Sequence, residues 1–171
     1  DDDRAQLALA RVYLLRKDEG KLWEELEELL GGKEGFSTEA LQAEALFLKG
    51  ELAQSYQQKR EIYEKLTDEN FSHTKYHSLA WYYLGLNHFD YAKKINQKDE
   101  RVLYLDLAIK AFKTAADQFR LSDLIKFTLA SRYAAEAEFK KNTRESRKKS
   151  FTLFKNLCKD NLCENCESIT N

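Results

Sequence analysis

None of the 171 residues is proline, and that absence constrains this chain more than anything it contains. A proline inside a helix removes a backbone donor and clashes with the preceding turn, at a cost of about 3 kcal/mol. Without one, long uninterrupted helices are open to nearly every stretch, and the apolar residues use that freedom. Val12 and Leu15, then Leu22, Leu26 and Leu29, recur at three, four and seven, the repeat of a helix face. Leu48 and Leu52, Ile62 and Leu66, Leu79, Tyr82, Tyr83 and Leu86, and Ala108, Phe112, Ala115 and Phe119 continue the pattern. No run alternates apolar and polar residues long enough for a strand, and no Asn-Gly or Asp-Gly pair signals a hairpin.

Short polar breaks divide these stretches. Asp18-Glu19-Gly20 is expected to end the first helix, and Gly31-Gly32-Lys33-Glu34-Gly35 is the clearest loop. Ser37 and Ser122 are expected N-caps, since a serine hydroxyl can accept a hydrogen bond from an orphan amide of the first turn. Further breaks fall at 67–70, 72–74, 96–99 and 141–143. The pattern predicts eight helices in four pairs, over 4–17 with 21–30, 38–54 with 56–67, 74–95 with 100–119, and 122–140 with 144–158. Short connections make paired neighbours antiparallel. One all-α domain is expected over 1–158, followed by a cysteine-containing tail over 159–171.

Composition closes off several classes. A hydrophobic share of 43% supplies a core, and the 28 basic and 29 acidic residues nearly cancel, for a net charge of −1. Bulk charge therefore points to neither nucleic acid nor a membrane surface. No stretch approaches the roughly 18 consecutive apolar residues of a membrane span. Asp1, Asp2 and Asp3 do not open a signal peptide, and the absence of methionine is expected of a processed or excised chain. A soluble protein is expected, either cytoplasmic or the mature part of an exported bacterial protein.

The third pair carries the most specific pattern. Its first helix reads Trp81-x-x-Leu84-Gly85-x-x-His88, and its second reads Ala108-x-x-x-Phe112-x-x-Ala115. This resembles the tetratricopeptide repeat, in which a small residue on the first helix admits the second and aromatic residues fill the wedge between hairpins. His88 stands where the repeat has tyrosine, and the connection is about eleven residues longer than a 34-residue period allows. Small residues occupy the matching place in each first helix, at Ala10, Gly50, Gly85 and Ala130, separated by 40, 35 and 45 residues. Trp23 or Leu26, Tyr63, Phe112 and Phe154 match on the second helices, and Tyr13 and Tyr133 follow Ala10 and Ala130 by three. The resemblance thus covers most of the chain with one clear repeat and three degenerate ones. It implies a right-handed α-α superhelix of about four antiparallel hairpins.

That resemblance also implies a function: a non-enzymatic scaffold or assembly subunit that binds a peptide or helix of another protein in a concave groove. Counting from the small residues places Leu7, Arg11 and Leu14, then Phe47, Glu51 and Gln54, then Tyr82, Leu86 and Phe89, then Phe127, Ser131 and Ala134 along that groove. The third and fourth pairs would present an aromatic patch, the residue type that dominates binding hot spots. Phe47, Tyr82 and Phe127 stand where one subtype of the family clamps a carboxylate, so that mode is not expected. The alternative is an accessory protein holding a small hydrophobic ligand or lipid in a cavity under Tyr82, Phe89 and Phe127.

Other chemistry is thinner. Lys140, Lys141, Arg144, Arg147, Lys148 and Lys149, with Lys155 and Lys159 beyond, form a basic stretch that is either a solvated face or a contact for an acidic protein, phosphate or anionic lipid. Cys158, Cys163 and Cys166 suit a disulfide or free thiols, and zinc less well, because a structural site wants four ligands. His73 and His77 are one helical turn apart but have no evident third ligand, and Glu24, Glu25, Glu27 and Glu28 read as a solvated acidic face. No phosphate loop or nucleophile elbow occurs, so no catalytic residue, metal or cofactor is expected.

Overall fold

The computed structural model describes residues 2–31 and 38–159. In chain order these form α1 (Asp2–Arg16), α2 (Glu19–Gly31), α3 (Glu39–Leu52), α4 (Tyr56–Leu66), a 3-10 turn (Glu69–Phe71), α5 (Lys75–Lys94), α6 (Lys98–Phe119), α7 (Leu124–Lys140) and α8 (Arg144–Lys159). All regular structure among the described residues is helical, in the eight helices expected.

The helix ends differ from expectation in instructive ways. Ser37 lies outside the described residues; the cap of α3 is Thr38, whose hydroxyl accepts from the Leu41 amide at 3.3 Å. Asp123, not Ser122, caps α7, taking the Lys126 amide at 2.9 Å, while the Ser122 hydroxyl turns back to the Gln118 carbonyl. An ionised carboxylate outcompetes a hydroxyl for an amide at a positive helix N-terminus. The first break falls at Lys17-Asp18, where Lys17 takes a positive φ of 58°, so Glu19 and Gly20 already belong to α2. Asn142 repeats that device, at φ 58°, before α8. Thr143 and Ser146 then cap α8 reciprocally, each amide bonding the other's hydroxyl at 3.0 Å. Lys98 and Asp99 likewise belong to the first turn of α6, not to the turn before it.

The chain divides into two compact units, residues 1–80 and 81–171, at a boundary inside α5 that no polar break marks. In the first unit α1 packs on α2, α2 on α3 and α3 on α4, and α1 also touches α3. Its core joins Leu7 and Ala10 of α1 to Leu22, Leu26 and Leu29 of α2 and Ala45 of α3. In the second unit α6 packs on α7 and α7 on α8. Phe89 and Ala92 of α5 meet Leu105, Ala108, Ile109 and Phe112 of α6 and Ala134 and Ala137 of α7, with Tyr82, Leu86, Tyr104 and Tyr133 packed around them.

Candidate functional site

The repeat-like residues prove to be packing devices. Gly85 faces the Phe112 ring so closely that a β-carbon there would lie 2.7 Å from Cδ1 and Cε1. Gly50 faces Tyr63 in the same way, with Cε1 at 2.6 Å from the same imagined atom. Each glycine thus lets its helix settle against an aromatic ring of the paired helix, as the sequence pattern implies. Ala10 and Ala130, the other two small residues, are fully buried. Leu84, His88, Ala108, Phe112 and Ala115 of the third pair are buried as well.

Around Phe112 the second unit assembles a set of rings. Tyr133 of α7 stacks on Phe112 at 5.4 Å between centroids, and Tyr82 and Phe89 of α5 meet both at 5.9–6.4 Å, edge to face. Such edge-on geometry sets positive ring edges against negative faces.

The expected groove residues fall into three kinds. Phe89 is 1% exposed, and Leu7 and Ala134 are equally buried, so these three are core and offer nothing to a partner. Their burial follows from the close approach that the small residues permit. Tyr82, Leu86, Phe127 and Ser131 are half-buried in the second unit; Phe47 is half-buried and Glu51 exposed in the first. Phe47 packs on Tyr76 at 5.3 Å and on Tyr63 at 6.3 Å. Burial raises the Tyr82 hydroxyl to about 12, with Tyr133 and Tyr83 adding to it. Burial also raises Tyr76 to about 12, and the adjacent Glu44 charge adds to the effect.

The basic stretch divides by partner. Lys141 is mostly buried and pairs with Asp106 at 2.7 Å and Glu138 at 3.8 Å. Lys149 pairs with Glu145 at 2.8 Å, and Arg147 donates to Asn142 Oδ1. Lys140, Arg144 and Lys148 are exposed with no ion pair to any described residue. Lys93, Arg101 and Phe139, absent from the expected set, line a cavity with Lys140. Only the antiparallel packing brings them there, because they lie on three different helices.

His73 meets Glu39 at 3.1 Å, whereas His77 meets the Thr67 carbonyl at 3.2 Å, so the two histidines turn to different partners. Among the described residues no three of His, Cys, Asp and Glu cluster as metal ligands. Cys158 is half-buried in the last turn of α8, and Cys163 and Cys166 lie outside the described residues. No described helix is long and apolar enough to cross a membrane. Comparison with protein-family models, with curated proteins and with solved structures gave no match.

Proposed function

We propose that the chain is a protein-interaction scaffold or assembly subunit of tetratricopeptide-like hairpins, in which the first helices of the pairs present a surface to a segment of another protein. The observation that carries this reading is the paired glycine–ring contact, Gly50 under Tyr63 and Gly85 under Phe112. Close hairpin packing of that kind leaves successive first helices side by side. The contacts of α1 with α3, and of Tyr82 and Phe89 on α5 with Tyr133 on α7, agree with it. In the second unit Tyr82, Leu86, Phe127 and Ser131 are the half-buried groove positions, and Phe47 and Glu51 are their counterparts in the first.

Photo-crosslinking tests this. A benzoylphenylalanine placed at Phe127 is expected to crosslink one partner in cell extract, while the same group at Ile125, three-quarters exposed on another face of α7, is not. Equal labelling from both positions, or labelling from Ile125 alone, would remove the groove from the proposal.

A further inference from the structure

The antiparallel pairs bring the C-terminal ends of α5 and α7 and the N-terminal ends of α6 and α8 together in the second unit. Two adjoining depressions lie there and share Asn142. The deeper, of about 380 Å³, has an apolar floor of Phe89, Ala92 and Leu105, with Phe139 at its side. The shallower, of about 720 Å³, runs along the first turns of α8 past Phe151. Six cationic side chains line the two, namely Lys93, Arg101, Lys140, Arg144, Arg147 and Lys148, and no carboxylate of a described residue does. The neighbouring acids are engaged elsewhere: Asp106 and Glu138 with Lys141, Glu145 with Lys149. Among the described residues an acid pairs with only one of the six cations, Asp90 with Lys93 at 2.8 Å.

Two further observations say what belongs there. The Arg101 Nε is buried without a hydrogen-bond partner, an arrangement that costs stability unless an acceptor arrives. Phe139 and Phe151 expose about half of their surface beside the cations, at 57% and 48%. We propose that this cleft binds an acidic peptide segment of a partner protein, with carboxylates on the six cations and one aliphatic or aromatic side chain against the exposed Phe139 ring. The floor argues against a stacked base, because Phe89 is 1% exposed with the Lys93 ammonium 4.3 Å over its ring, and Ala92 and Leu105 have no ring to offer. The site uses none of the groove residues proposed above, so either reading can fail alone.

The test is fluorescence anisotropy of the full chain with a labelled peptide, Glu-Glu-Phe-Glu-Glu-Leu-Glu-Glu, at low salt. Binding is expected, weakening at least tenfold between 50 and 200 mM salt, and at least tenfold again in the exposed-residue variant K140E/R144E/K148E. The control K110E/K113E/R120E carries the same net charge on other exposed positions and is expected to bind as the parent does. Serine in place of both apolar peptide residues is expected to weaken binding about tenfold, and Phe139→Ala to remove that preference. Equal losses in the two charge variants would overturn the proposal, as would indifference to the serine exchange. Tighter binding of an oligothymidylate or of phosphatidylserine vesicles than of the peptide would overturn it too. A tenfold gain on neutralising Asp160, Glu164 and Glu167 would assign the cleft to the chain's own acidic end instead of a partner. Circular dichroism on each variant separates lost binding from lost structure.

Discussion

Gly85 and Gly50 look alike in sequence but differ in what an added methyl would meet. At Gly85 the obstacle is the root of the Phe112 ring, with Cγ at 3.0 Å, in a side chain that is fully buried. At Gly50 it is the far end of Tyr63, at Cε1, Cζ and the hydroxyl, in a ring that is just as buried. Replacing a helical glycine by alanine gains about 1 kcal/mol of helix propensity, whereas overpacking costs about 1–3 kcal/mol. Gly85→Ala and Gly50→Ala are therefore each expected to lose about 1–2 kcal/mol in urea unfolding. A gain in stability at either position would show that the ring there gives way to the added methyl. Tyr82 makes a separate residue-scale prediction. Its folded-state pKa of about 12 lies above the unfolded value of 10, so the neutral phenol is the form the fold favours. Its contribution is complete below pH 10 and is lost as pH rises from there through 12. Tyr82→Phe should flatten the fall in stability over that window and remove one late step from the absorbance titration of the nine tyrosines.

At the scale of elements, the number of helices was legible because the apolar period needs only local sequence. The run of α5 through Tyr91 to Lys94 was legible for the same reason. The caps were not, because neighbouring polar residues compete and the backbone decides which one reaches the amide. Ser122 and Asp123 are adjacent; the extended backbone of Asp123, φ −152° and ψ 93°, aims its side chain at the Lys126 amide, while the Ser122 hydroxyl donates to the Gln118 carbonyl. Asp123→Ala is expected to cost about 1 kcal/mol at neutral pH, and Ser122→Ala far less. The Lys126 ammonium and amides hold the Asp123 carboxyl below its usual range, so its contribution is present above the unfolded pKa and falls away as pH drops through the folded one. Thr143→Ala should likewise cost about 1 kcal/mol, because Thr143 and Ser146 cap α8 as a pair. Thermal unfolding of the three variants at pH 7, and of Asp123→Ala again near pH 3, checks the set.

Over the whole molecule, the net charge of −1 conceals a separation. Residues 1–80 carry seventeen acids and eleven bases, and residues 81–171 carry twelve acids and seventeen bases. Near-neutral composition argued against a charged partner, yet local fields, not totals, govern association within a Debye length of about 8–10 Å. The full chain is therefore expected to be retained on a cation exchanger at pH 7 despite its negative total. Retention should disappear in K140E/R144E/K148E and persist in K110E/K113E/R120E, which bears the same total. Loss of retention in both would reduce the effect to bulk charge.

The absence of proline and the apolar repeat determined by themselves that the chain would be helical, in eight helices packed mainly on their sequence neighbours, with small residues at Gly50 and Gly85 where helices touch. Those properties depend on spacing along one helix and on the size of one side chain. Tertiary structure decided which aromatic residues became core and which stayed near the surface. Phe89 and Phe127 are both groove positions in the repeat count, but Phe89 is buried against Phe112 and Tyr133 while Phe127 stays half-buried. It also decided how the basic stretch was spent, since Asp106, 35 residues away, pairs with Lys141 and leaves Lys140, Arg144 and Lys148 outward. Such choices depend on residues far apart in sequence meeting in space, which no periodicity along the chain encodes.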